Sequence, residues 1–465
     1  MKYLRTKRFI AIILFFVFSV VTVVLVMKWK KKSNPEKTEM VQNDSYDFLI
    51  FNTEPKFQDC LQKIAEEYRN ISGIVPAVVA KDSEILYNFN SDLSPDIFML
   101  KTFDEMKVQL QYGNILDFLN ASEKTFQEVI KNIPDVLQAK VSNINSCGIP
   151  VTIRGFGLAV NQKLLASIFG EDSYKNLVND LIICSYEEFD KFVNDLKSSH
   201  SVKLNNTEYK ISQKPPENIF SFHVETPIAT LLNAIFSSFF EDASDLALSD
   251  SISKMTGKFS DWLKAIDLIT SNTSLKRGRD FVNLEQNSRS KAIKEFSEGK
   301  SLFLIADDTD YEEIKNCNPE VASHLTFIPF KVPRTSDENK DLNTNLTVYV
   351  PYCFMINAKS SKSKMAQDFL TWFVSSPVAR KYLLEDAGCV SYDVREVDSI
   401  ENTLLRSAVN YLQSGNSLAP VFQGIKKSWL NSISQQLMRK YFPSNSWSVS
   451  HYNNFDSFCI KKWSQ

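Results

Sequence analysis

From residue 46 onward, short apolar runs alternate with segments of helical period, and this alternation restricts the fold more than any other feature of the chain. "DFLIFN" at 47–52 is strand-like. From Lys56 to Asn70, apolar residues recur at Phe57, Leu61, Ile64, Ala65 and Tyr68, the spacing of one helical face, and "SGIVPAVVA" restarts a strand after Gly73. Strand, helix, strand is the unit of a parallel sheet with covering helices.

The unit recurs. "SPDIFML" (94–100) reads as a buried strand, and Thr102 with Glu105 has capping-box spacing for a helix ending near Gly113. Ser185 with Glu188 has the same spacing, ahead of a helix whose core face is Phe189, Phe192, Val193 and Leu196. A helix carrying Ala292 and Phe296 stops at Gly299 and feeds a strand from Leu302 to Ala306. "NLTVYVPYCFMINAKS" is extended, and the last third is helical: 364–375, then a helix with Ser376 as N-cap and Pro377 at its first position, then 424–442 with Ile425, Trp429, Ile433 and Leu437 four apart.

At 465 residues the chain exceeds one hydrophobic core, so two or three domains are expected. Phe9 to Met27 is an uncharged apolar run, about 28 Å long as a helix, enough to cross a bilayer's hydrocarbon layer. No alanine falls between Ala11 and Ala65, which removes the A-x-A pattern of a cleaved signal peptide, so the run reads as an uncleaved anchor. Basic residues flank it on both sides and leave its orientation open. Residues 28–45 are polar and read as a tether. A net charge of −2 argues against nucleic acid, which needs a basic face.

The chemistry-bearing motifs are sparse. "EGKS" (298–301) lacks the first glycine of a phosphate-binding loop, because position 294 is lysine. Asp308 and Asp310 have D-x-D spacing after a strand, which leaves a metal site or a metal-dependent hydrolase open as an alternative. Four histidines never fall at ligand spacing. Seven scattered cysteines form no C-x-x-C pair, and their odd number leaves at least one free thiol, with one or two bridges open. Trp429, Tyr352 and Phe156 are core residues by default and stacking surfaces by alternative. "RGFGLAVN" (154–161) places two of the chain's 12 glycines within three positions, which implies a bend, a hinge or a close backbone approach.

Taken in order, these segments resemble the extracytoplasmic solute-binding proteins of ABC importers, in the maltose-binding-protein-like family 1 group. The resemblance is carried by "FNTEPKFQDCLQKIAEEYRNISGIVPAVV", "SPDIFMLKTFDEMKVQLQYGNILDFL", "GIPVTIRGFGLAVNQKLL", "EFSEGKSLFLI", "INAKSSKSKMAQDFLTWFVSSPVARKYLLEDAG" and "LAPVFQGIKKSWLNSISQQL". It implies an α/β, two-lobed, type II periplasmic-binding-protein-like fold behind one N-terminal transmembrane helix. Lobe 1 takes 46–153 plus 355–398, lobe 2 takes 158–350 plus 402–465, and hinges fall near 154–158, 351–354 and 398–402. Gly155 and Gly157 are then hinge residues.

The implied function is capture of a small polar solute, a carbohydrate among the candidates, in an interlobe cleft. Its partners are ABC permease subunits and the membrane, and the globular part is monomeric and extracytoplasmic. Glu54, Lys101, Arg154, Asp307 and Asp308 are the polar cleft candidates; Phe156, Tyr352 and Trp429 are the aromatic ones. Trp429 alone falls where the family places a stacking tryptophan, so the loops 99–102 and 307–309 depart from its sugar-binding members. No catalytic residue, metal or cofactor is expected. A surface or sensory binding protein on the same fold is the alternative.

Overall fold

The described residues open with the expected strand–helix–strand unit. In the computed structural model, β1 (Phe48–Asn52) is buried throughout, and α1 (Gln58–Ser72) buries Cys60, Leu61, Ile64, Ala65 and Tyr68, one helical face. Gly73 ends it at φ 73°, a left-handed conformation that glycine adopts without a Cβ penalty. The chain returns as β2 (Pro76–Ala80), parallel to β1 with Phe48 opposite Pro76, and β3 (Ile97–Leu100) adds to the other side of β1.

The structure describes residues 46–81, 94–101, 103–138, 146–236, 251–274, 277–278, 281, 288–333, 342–419 and 425–463. The expected span Phe9–Met27, the tether and the cap Thr102 lie outside the described residues. Among the described residues no helix is long and apolar enough to cross a membrane.

The remaining elements follow the sequence pattern closely. α2 (Phe103–Gln111) and α3 (Lys124–Lys131) precede β4 (Ile149–Asn161), and α4 (Gln162–Phe169), α5 (Tyr174–Ile183) and α6 (Tyr186–Ser198) follow it. Ser185 and Glu188 form the expected capping box at the start of α6, each side chain accepting from the other's backbone N–H. β5 (Ser201–Leu204) and β6 (Thr207–Lys210) make a separate hairpin. Then come β7 (Phe220–Ser221), α7 (Lys258–Thr270), α8 (Arg289–Ser297), β8 (Phe303–Asp307), α9 (Tyr311–Cys317), β9 (Leu325–Ile328) and β10 (Leu346–Ile356). α10 (Ser363–Ser375) leads to α11 (Pro377–Ala387), capped by Ser376, and then to α12 (Thr403–Gln413), β11 (Ser417–Leu418), α13 (Lys427–Gln436) and α14 (Val449–Trp463).

One sheet runs β2-β1-β3-β10-β4-β8-β7, with β11 on β10 and β9 on β4. β10 is antiparallel to both β3 and β4, and β4 is antiparallel to β8, so the two long strands join a parallel set on each side. Alternation along these strands feeds two cores. Phe156, Leu158 and Val160 of β4, with Phe303 and Ile305 of β8, enter a core shared with α4 to α7, α13 and α14. Ile149, Val151, Ile153 and Ala159, with Leu304 and Ala306, enter the other, shared with α1, α10 and α11.

That second core also takes Ala292 and Phe296 of α8, Ile314 of α9 and Leu404 to Leu412 of α12. Core packing therefore departs from the expected lobe boundary, which assigned α8, α9 and α12 to the far lobe. Residues 47–465 form one compact unit.

The glycine pair lies within β4, on the face that carries Ile153 and Ala159. A Cβ at Gly155 would stand 2.4 Å from Cβ of Ala408 on α12. One at Gly157 would stand 2.6 Å from Leu346 Cδ1 and 2.8 Å from the Ile328 carbonyl oxygen. Neither glycine is among those with positive φ. Close approach of α12, β9 and β10 to the strand thus accounts for both.

Candidate ligand cleft at the strand crossing

Arg154 stands on β4 opposite Tyr349 of β10, where the two long strands cross from one parallel set to the other. Its Nη1 donates to Asp308 Oδ2 at 2.8 Å, and the Gly155 N–H donates to Asp308 Oδ1 at 2.7 Å. Both side chains are buried, Asp308 completely. Burial and the neighbouring Asp307 push the Asp308 carboxyl up to about 7, against the pull of Arg154 and the Gly155 N–H. Burial opposes the charge on Arg154 too, but Asp308 more than offsets it and raises the guanidinium pKa.

Asp307 ends β8. It accepts from the Thr309 N–H at 2.9 Å and from the Tyr349 hydroxyl. Asp310 completes the turn by accepting from the Asp307 N–H at 3.0 Å and from Arg289 Nε at 2.6 Å. Burial pushes Asp310 up to about 6 despite that arginine. Each carboxylate of the D-x-D pair is thus held by its own arginine. Among the described residues no group of three or more His, Cys, Asp or Glu is placed to hold a metal ion.

The facing wall comes from the other end of the crossing. Tyr352 donates to Glu54 Oε2 at 2.6 Å, and Lys101 Nζ lies 3.2 Å from the same oxygen. The Tyr352 ring meets Phe57 edge-on at 5.3 Å, with Lys56 Nζ 5.5 Å and Lys101 Nζ 5.9 Å from its centroid. Partial burial resists ionisation of Glu54, yet the Tyr352 and Lys101 hydrogen bonds hold its pKa below the usual glutamate value.

Between these walls lies a cavity of about 300 Å³ lined by Lys56, Arg154, Arg289, Asp307, Thr309, Tyr349, Pro351 and Tyr352. That is the low end of the range for small-molecule pockets. A second cavity of about 300 Å³ lies between the end of α11 (Leu384, Ala387, Gly388) and the start of α12 (Asn402, Leu405), with Ile400, Glu312 and Glu401 also lining it. Arg154 and Thr309 border both.

The structure brings Glu54, Lys101, Arg154, Asp307, Asp308 and Tyr352 together at this junction. It places two other candidates elsewhere. Trp429 is packed among Phe236, Phe259 and Trp463, with its indole N–H donated to the Cys459 carbonyl at 2.9 Å, so no ring face is offered to a guest. Phe156 belongs to the same core. Both corrections have one cause: these side chains point from their elements into a sheet-covering core. Lys56, Arg289 and Tyr349 escaped the sequence reading. Tyr349 had a signal, since it is a second tyrosine three residues before Tyr352. None of the seven cysteines is in a disulfide, and only Cys317 is exposed.

No family model matches the sequence, and no curated protein matches it. Solved structures do. The apo form of RafE from Streptococcus pneumoniae aligns at TM-score 0.60 and 15% identity, covering 90% of this chain and 99% of that one. A family 1 extracellular solute-binding protein from Bifidobacterium longum subsp. infantis aligns at TM-score 0.56 and 14% identity, covering 90% and 98%. The bacterial solute receptor AcbH, described as exclusive for β-D-galactopyranose, aligns at TM-score 0.61 and 8% identity, covering 89% and 96%. The chain has the mixed α/β fold of the family 1 extracellular solute-binding proteins.

Proposed function

We propose that this chain is a solute-binding subunit that captures a small carbohydrate in the cavity between Asp307 and Tyr352 and presents it to an ABC permease. One observation carries the reading: the cavity draws its lining from both ends of the crossing strands, on a fold whose neighbours include a galactopyranose receptor. The chemistry suits sugar. Asp307 accepts from hydroxyls, Lys56 and Arg289 donate to them, and Pro351 with Tyr352 offers an apolar surface to a pyranose C–H face. In this reading Tyr352 takes the stacking role that the sequence assigned to Trp429.

The cleft closes by rotation of two lobes about β4 and β10, so that Glu54 and Lys101 approach Asp307 across the guest. The apolar run Phe9–Met27 tethers the globular part outside the membrane. Thermal unfolding of the full chain against D-galactose, D-glucose, maltose and raffinose tests the reading. A sugar at a hundredfold its Kd stabilises the folded state by about 2.7 kcal/mol. Unchanged melting with every sugar, at concentrations up to tens of millimolar, sinks it.

A further inference from the structure

The second cavity plays no part in the sugar reading. It encloses about 300 Å³ between the last turn of α11 and the first of α12, beside the turn at 308–312. Its lining divides into polar groups already engaged, one charge left over, and an apolar wall.

Arg154 donates Nη1 to Asp308 at 2.8 Å and Nη2 to the Cys389 sulfur at 3.5 Å. Asn402 donates to the Asp308 carbonyl at 2.9 Å and, as N-cap of α12, accepts from the Leu405 N–H at 3.0 Å. Glu401 accepts from Lys315 at 2.6 Å. That bond takes the cation one turn along from Glu312, which is left without an ion-pair partner among the described residues. Arg154 with Asp308 and Lys315 with Glu401 balance in charge, so the cavity keeps one carboxylate in surplus.

The rest of the wall is apolar. Leu384, Ala387, Ile400 and Leu405 line it, and Ile400 and Leu405 are 1% exposed. A hydrocarbon laid on such a wall gains about 0.8 kcal/mol for each methylene it takes from water. α11 ends here, and the carboxyl end of a helix carries partial negative charge, which favours a cation over an anion. The facing amino end of α12 is answered by its Asn402 cap.

We propose that this cavity is a second binding site, for a small amphipathic ammonium ion whose charge faces Glu312 and whose hydrocarbon lies on Leu384, Ile400 and Leu405. The inference stands without the carbohydrate reading, because no sugar enters it. Arg154 and Thr309 border both cavities, so a guest here touches two residues of the other's wall.

n-Pentylamine, n-pentanol and n-pentanoate share a chain length and differ in charge, which makes them the probes for calorimetric titration of the full chain at pH 8. At that pH Asp308, pushed up to about 7, is ionised and balances Arg154. Pentylamine binds about tenfold more tightly than pentanol, and pentanoate more weakly than either. E312Q alters an exposed side chain, weakens pentylamine about fivefold and leaves pentanol as it was. A387F puts a ring into the cavity and abolishes binding of both. Absence of pentylamine binding up to tens of millimolar overturns the inference, as does pentylamine binding no tighter than pentanol, or binding indifferent to E312Q. Amine binding that survives A387F lies elsewhere on the chain and overturns it too.

Discussion

Arg154–Asp308 and Lys101–Glu54 are cation–carboxylate pairs of one junction, yet their surroundings make them different devices. The first is 7% and 0% exposed, the second 35% and 18%. In the buried pair each charge has given up its water and depends on the other, so its energy shows mainly when one partner is removed. In the half-exposed pair water screens the attraction, which leaves both groups free to exchange one partner for a guest. The buried pair holds the strand crossing; the open pair can answer a ligand.

The largest expected break in this contrast is D308A. It strands the Arg154 guanidinium and costs about 3–5 kcal/mol of stability in urea unfolding at pH 8. A loss near that of an exposed pair would place Arg154 in contact with solvent. Next comes G155A, whose added methyl meets Ala408 Cβ at 2.4 Å. It costs about 1–3 kcal/mol, and the double variant G155A/A408G recovers part of the loss if the approach of α12 is its cause.

Titration sharpens the contrast by sign. Asp308 at about 7 and Asp310 at about 6 bind protons in the folded state before they do in the unfolded chain, where an aspartate titrates near 3.8. Their contribution is full below that unfolded value and is lost as pH rises through 6 to 7. Glu54, shifted the other way, contributes above 4.5 and loses its contribution as pH falls below its lowered value. Stability measured by urea unfolding therefore declines from pH 5 to pH 8, by up to about 4 kcal/mol. A rise over that window would mean that Arg154 and Arg289 outweigh burial.

The smallest stability effect belongs to E54Q, under about 1 kcal/mol. Its effect on sugar affinity is the larger of the two, because Tyr352 and Lys101 lose the carboxylate that orients them.

The strand–helix rhythm and the Ser185–Glu188 and Ser376–Pro377 starts were legible because each is set by residues within one turn or one strand. Arg154 and Asp307 are named through the family resemblance and Tyr352 as an aromatic near a strand end; Asp307 does end β8, whereas Arg154 and Tyr352 lie within β4 and β10. Tyr349 and Arg289 were not legible, since they reach the cavity only once β10 lies antiparallel to β4 and α8 closes on the 307–310 turn. Trp429 misled for the same reason: its position on an amphipathic helix is compatible with core or cleft, and only the packing of Phe236, Phe259 and Trp463 around it decides. The glycine pair reads from the sequence as a hinge, with a close backbone approach among the alternatives, and the helix that crowds Gly155 lies some 250 residues further along the chain.

Cys317 is the last residue of α9, the helix that starts where Asp310 ends the turn at the cavity wall. With the other six thiols shut inside, a maleimide dye offered to the native chain finds a single address. The molecule thus carries its own attachment point for an optical gauge of guest uptake, and no cysteine has to be engineered in or out to use it.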